Sequence, residues 1–260
     1  MSRKKQTCTS TLKLWKFFTQ EKDTARKAFH SYHLVKRKYI VAHAAKIFDR
    51  NKLEPAPLLN LDLLDIGCGT SKLAEEMTFR GANVTAIDPS EDCIKTAKKQ
   101  AEKNGALVSF IPCTSKSLIK KEEKFDIILC MDIFEHINHT SDFMRDLNQL
   151  LKPNGIILFS SNNRNLESAF IHIICAKWLF KWVENCAYKF KRFRTPKKLI
   201  GKFEDNGFKI IDLCGVYLDP SKKRWRRCAK PASRYLGAAV YKNFKEKPEA
   251  IPQKPKRQNQ

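Results

Sequence analysis

Apolar residues fall into two patterns along this chain. Short, nearly continuous apolar runs at 62–66, 84–88, 107–112, 126–131 and 155–161 have the length of buried strands. Between them, 71–80, 90–104 and 139–151 repeat their apolar positions near helical spacing, and the segment 24–50 does so through Ala28, Leu34, Ile40, Ala44, Ile47 and Phe48. Pro55 and Pro57 break the chain before the first strand, and Ser90 with Glu91 and Asp92 supplies a capped, acid-rich helix start. Thr195-Pro196 opens a helix that runs to about Asn206 and stops at Gly207, and a late strand pair at 209–217 and 235–242 completes the sheet edge. Strands alternating with helices of this length predict an α/β fold, a Rossmann-like, doubly wound and mostly parallel sheet. Residues 164–192 interrupt the rhythm as a helical, amphipathic insertion after the fifth strand.

The first strand and its turn, Leu63-Leu64-Asp65-Ile66-Gly67-Cys68-Gly69-Thr70, carry the first chemistry. Gly67 and Gly69 let the backbone turn sharply and lie against a ligand, toward which the next helix points free N–H groups. Asp88 follows Gly67 by 21 residues, at the tip of the next strand, where a carboxylate can accept both ribose hydroxyls. A dinucleotide site needs a third glycine where this chain has Lys72, so a single nucleoside carrying a sulfonium, S-adenosylmethionine, suits the turn better. Ligands of such sheets bind at the carboxyl ends of the strands, where Gly67, Asp88 and Met131 all fall.

Charge widens the picture. Fifty Lys plus Arg against 27 acids give a net charge of +23, which favours an anionic partner, nucleic acid or an anionic membrane surface, over a neutral one, unless the cations simply solvate the surface. Nine scattered cysteines without a C-x-x-C pair indicate neither a zinc knuckle nor a disulfide framework, and fit a reducing compartment. No apolar run reaches the roughly 18–20 residues of a membrane-spanning helix. The insertion mixes Phe170, Trp178, Phe180 and Trp182 with Lys177, Lys181 and Lys191, a composition that suits either a membrane interface or a lid helix. The basic segment 1–23, whose first 20 residues lack Asp and Glu, reads as an N-terminal helix or a mitochondrial presequence. It precedes a domain at 24–243 and a disordered Lys/Pro-rich tail at 244–260.

A second constellation, Cys130-Met131-Asp132-Ile133-Phe134-Glu135-His136, follows the fourth strand. A carboxylate followed by a carboxylate and an imidazole three and four residues later can converge on one side of a helical turn and suit a divalent ion. The same Glu-His after a strand also occurs in methyltransferases without metal.

From about Phe29 to Lys242 the sequence resembles the S-adenosylmethionine-dependent O-methyltransferases of ubiquinone biosynthesis, which have the class I methyltransferase fold and methylate polyprenyl catechols. The likeness rests on Leu64 to Gly69, Val84 to Asp88, Asp126 to His136, Leu151-Lys152-Pro153-Asn154-Gly155, and Phe159 to Asn165 with its N-R-N. It also extends over Lys191 to Pro196, Gly215-Val216-Tyr217 and Tyr235 to Tyr241. The resemblance implies S-adenosylmethionine bound by Gly67, Gly69, Asp88 and Met131, with Lys36 at the place of a cofactor-binding Arg. It implies a divalent ion, Mg²⁺, on Asp132, Glu135 and His136, with His136 alternatively the general base. It further implies a polyprenyl catechol substrate and contact with an anionic membrane surface through about 166–192. The enzyme would sit peripherally on the bacterial cytoplasmic face or the mitochondrial matrix face of the inner membrane, with other ubiquinone biosynthesis proteins as partners. Four positions depart from the pattern: Asp132 replaces Glu, Thr70 and Ser71 replace glycine, and Lys36 replaces Arg, keeping the charge but not the bidentate fork. The alternative readings are a methyltransferase for RNA or another small molecule, or an RNA-binding protein with a vestigial cofactor site. They draw on Arg224-Trp225-Arg226-Arg227 and Lys189 to Arg194. No RNA-binding module is recognisable, and nucleic acid is not the expected partner.

Overall fold

The protein is described by a computed structural model, which covers residues 22–70, 72–166, 168, 192–219, 221–222 and 224–245. The basic start, most of the insertion and the Lys/Pro-rich tail lie outside these residues. Eight strands form a single sheet: β1 (Asp62–Ile66), β2 (Asn83–Ile87), β3 (Val108–Ile111), β4 (Phe125–Met131), β5 (Leu151–Asn162), β6 (Phe208–Asp219), β7 (Arg224–Cys228) and β8 (Arg234–Tyr241). Their order is β3-β2-β1-β4-β5-β8-β6-β7; the first five run parallel and the last three antiparallel. The described helices are α1 (Lys22–Ile47), α2 (Lys72–Thr78), α3 (Glu91–Asn104), α4 (Ser115–Ile119), α5 (Thr140–Leu150) and α6 (Pro196–Asp205).

Side-chain alternation along the central strands divides the core between the two faces of the sheet. Leu63, Ile127, Leu129, Ile156 and Leu158 pack on one face with Tyr39, Ile40 and Ala44 of α1 and Leu73, Ala74 and Met77 of α2. Leu64, Ile128, Cys130, Ile157 and Phe159 pack on the other with Phe143, Met144 and Leu147 of α5 and Leu199 and Phe203 of α6. The second face is aromatic: the Phe159 ring stacks on Phe203 at 4.6 Å and meets Phe134 edge-on at 6.1 Å. Gly237 of β8 pairs with Phe159, and a Cβ there would lie 2.2 Å from the ring, so this ring occupies the space a side chain would need. At the opposite end of the parallel strands from the carboxyl tips, Lys152 bonds Asp62 at 2.6 Å and Asp126 at 2.8 Å and ties β1, β4 and β5 together.

The predicted α/β fold is present, with three differences of detail. The late strand pair does not simply extend the sheet, because β8 inserts between β5 and β6. The segment 115–119 forms a one-turn helix that its Lys/Ser-rich sequence does not signal. Arg224-Trp225-Arg226-Arg227, read as a cationic run, is the edge strand β7. Trp225 is buried beside Tyr32 and Arg226 pairs with Asp219, while the exposed cations blunt a sheet edge. The Ser90 cap is as expected: its hydroxyl accepts the Cys93 N–H, and α3 ends on Gly105 at φ 68°.

Phe159→Ala is expected to lower unfolding stability by about 3–5 kcal/mol, because the ring is fully buried among packed aromatics. Urea denaturation followed by tryptophan fluorescence measures it.

Candidate functional site

The turn after β1 has the backbone its glycines predict, with Gly67 at φ 72° and Gly69 at φ 54°. The Gly67 and Cys68 N–H groups donate to the Ile87 carbonyl at 2.8 and 3.1 Å, which holds the turn against the end of β2. One oxygen of Asp88 accepts the Gly69 N–H at 3.1 Å and the other accepts the Ser90 N–H at 2.9 Å. The carboxylate is thereby fixed between the glycine turn and the start of α3, at a strand tip. Beside it opens a cavity of about 660 Å³, lined among others by Lys36, Asp65, Gly67, Cys68 and Met131. Gly69 and Asp88 flank this cavity without lining it.

Asp65 belongs to the site although nothing in the motif singled it out. The available signal was a carboxylate inside the apolar run Leu63–Ile66, where an acid is expensive unless functional or paired. Burial pushes its pKa up to about 7, with Asp88 adding to the shift and Lys36 opposing it.

The Asp132-Glu135-His136 constellation separates in space. Asp132 accepts from Tyr32 Oη at 2.8 Å, Lys36 Nζ at 3.1 Å and Ser160 Oγ at 2.8 Å, and Arg234 lies 3.6 Å away. Burial opposes its ionisation, but Lys36 and Arg234 outweigh burial and hold the carboxyl well below the usual range. Glu135 instead bonds Ser161 Oγ at 3.0 Å and the Asn162 N–H, and its other oxygen is buried without a hydrogen-bond partner. Burial, then the Asp132 charge, raise its pKa. Ser160 and Ser161 are successive residues of β5 and point to opposite faces of the sheet, so the two carboxylates are held on opposite sides. His136 is exposed on the turn after β4.

A model of the methyltransferase domain family matches residues 34–213. The ubiquinone biosynthesis O-methyltransferase of Methylobacterium sp. (strain 4-46) is 31% identical over 210 residues, covering 81% of this chain and 84% of the relative. That of Roseobacter denitrificans is 32% identical over 215 residues, covering 82% and 87%. The chain belongs to the ubiquinone biosynthesis O-methyltransferase family. Among solved structures, magnesium protoporphyrin IX methyltransferase from Synechocystis PCC 6803 with bound SAH superposes with a TM-score of 0.60 at 18% identity, covering 89% of this chain and 94% of that one. An S-adenosylmethionine-dependent methyltransferase from Clostridium acetobutylicum gives 0.56 at 15% identity, covering 79% and 90%. Both share the fold, and the chain is an S-adenosylmethionine-dependent methyltransferase.

In this methyltransferase the residues expected around the cofactor come together: Lys36, Gly67 and Met131 on the cavity wall, Gly69 and Asp88 joined beside it. The residues expected around a metal do not. Among the described residues no group of three or more His, Cys, Asp or Glu side chains is placed to hold an ion. Asp132, with its oxygens given to Tyr32, Ser160, Lys36 and Arg234, and Glu135, on the other face, do not fit one as they stand.

Asp65 yields a pH prediction. With a pKa of about 7 in the folded protein and an ordinary value near 4 when unfolded, it is protonated only in the folded state between those pH values. Its contribution to stability is therefore fully present below about pH 4 and is lost as pH rises to about 7. Asp65→Asn removes this titration, so the melting temperature of the variant should rise relative to the native protein between pH 4 and 7. A constant difference across that range would contradict the assignment.

Proposed function

We propose that this enzyme transfers the methyl group of S-adenosylmethionine to a phenolic hydroxyl of a polyprenyl catechol intermediate in ubiquinone biosynthesis. The observation that carries the reading is family membership over about four fifths of the chain, joined to the glycine turn whose Gly69 N–H holds Asp88 at the next strand tip, an arrangement that suits a nucleoside.

The transfer is an in-line displacement. The S–CH₃ bond breaks as the O–CH₃ bond forms, the sulfonium leaves as a thioether, and the phenolic proton passes to a base. Asp88, fixed by the Gly69 and Ser90 N–H groups, presents a carboxylate at the nucleoside end, and Lys36 supplies positive charge on the cavity wall. A phenol with a pKa near 10 is mostly protonated at neutral pH, so the reaction gains from a positioned base. His136, exposed on the turn after β4, is the candidate for that role. Metal-assisted activation of the catechol, implied by the resemblance, requires Asp132 and Glu135 to leave their present partners, and no step here runs through a metal.

A prenylated substrate dissolves in a bilayer. Among the described residues no helix is long and apolar enough to cross a membrane. A net charge of +23 and the aromatic, basic composition of 166–192 support peripheral attachment to an anionic surface. That segment lies almost entirely outside the described residues.

Methyl transfer from labelled S-adenosylmethionine to a short-chain prenyl catechol should give a product heavier by one methyl group. His136→Ala should lower kcat by about 100-fold with little change in cofactor affinity. No product despite cofactor binding would reject the acceptor. Loss of turnover in EDTA with restoration by Mg²⁺ would show that the reaction uses a divalent ion.

Flotation with anionic liposomes should be strong at low salt and weak at high salt. Equal recovery with neutral vesicles would count against an electrostatic attachment.

A further inference from the structure

Asp132 is a point at which α1, the end of β4, β5 and β8 meet through polar contacts. Its backbone sits at φ 56°, in the left-handed region that non-glycine residues seldom adopt. The contacts that over-determine it are its own N–H donating to Ser160 Oγ at 2.8 Å and its carboxylate accepting from that same hydroxyl. Tyr32 and Lys36 lie one helical turn apart on α1, so both face the same carboxylate. The Arg234 guanidinium stacks over the rings of Tyr32 at 4.6 Å and Trp225 at 5.3 Å, and the Trp225 N–H donates to Ser31 Oγ at 2.9 Å. The face of α1 so fastened is also a wall of the cofactor cavity, through His33 and Lys36.

A carboxylate offers about four lone-pair sites. Those of Asp132 are directed at three donors and the Arg234 cation. We infer that Asp132 is a positioning residue whose carboxylate clamps α1 across the cofactor cavity, acting on the cofactor through Lys36 and Tyr32 rather than as a metal ligand. Without its charge, the Lys36 and Arg234 cations face each other across one buried pocket and drive α1 away from the sheet. The inference rests on the cofactor reading and not on the identity of the methyl acceptor.

The test compares the full-length native protein, Asp132→Asn, Tyr32→Phe and Lys36→Met in buffer freed of divalent ions with EDTA. S-adenosylhomocysteine binding is measured by calorimetry, amide exchange of 31–40 by mass spectrometry, and Mn²⁺ binding, in a separate chelator-free sample, by electron paramagnetic resonance. Asp132→Asn should weaken S-adenosylhomocysteine by about ten-fold or more without any metal present, and accelerate exchange in α1. Adding Asp132→Asn to Lys36→Met should cost less than the two changes summed, because they break one contact. Tyr32→Phe removes a single hydroxyl, so it reports on the clamp even where Asp132→Asn does not fold, and it should weaken binding a few-fold and loosen the same helix. Native-like binding and native-like exchange in Tyr32→Phe or Asp132→Asn would overturn the inference, as would loss of Mn²⁺ binding in Asp132→Asn with S-adenosylhomocysteine binding intact. A native protein that binds no S-adenosylhomocysteine would instead overturn the cofactor reading, leaving the exchange measurement to decide the clamp.

Discussion

Successive side chains of a β-strand leave it on opposite faces, and at the carboxyl end of β5 this geometry governs both the core and the chemistry. Leu158 goes to the face covered by α1 and α2, and Phe159 to the aromatic face covered by α5 and α6. The alternation continues into polar residues at the strand tip, where Ser160 binds Asp132 and Ser161 binds Glu135. Two carboxylates only three residues apart in sequence are thereby drawn to opposite sides of a sheet. A strand that buries both faces thus also sorts the acids around the site.

Several acids of this cation-rich chain each hold one or more of its cations. Asp132 holds Lys36 beside Arg234, Asp62 and Asp126 share Lys152, and Asp219 takes Arg226. Farther along α1, Asp212 accepts the Tyr39 hydroxyl at 2.8 Å and lies 3.3 Å from His43. The long N-terminal helix is therefore held by carboxylates along its length: Asp132 beside the cofactor cavity, Glu76 of α2 against His33 and Arg37, and Asp212 of β6. A buried ion pair is costly to break because the remaining charge has no water to replace its partner.

The fold was legible because its signals are local. Strand lengths, helical spacing, the Ser90 cap and the Gly207 stop each act within a few residues, and the elements they predict are present. What those signals leave out shows their limits. Arg224 to Arg227 looks like a nucleic-acid patch by composition, yet Trp225 turns inward beside Tyr32 and makes the run an edge strand. Ser115 to Ile119 is too short to show a period. Asp65 was passed over because an acid in an apolar run gives no hint of which neighbours it will meet.

The α/β architecture, the glycine turn with Asp88 at the next strand tip, and the family can all be read from the order of residues. All three depend on backbone preferences and spacings that the chain carries wherever it folds. The tertiary structure alone decided that Lys36 reaches Asp132, 96 residues away, and that Arg234 joins them. It also decided that Asp132 and Glu135 part company, since helical spacing permits them to converge and only the pairing of β4 with β5 places Ser160 and Ser161 to pull them apart. Contacts of that kind follow from strand order and register, which no local pattern of residues contains.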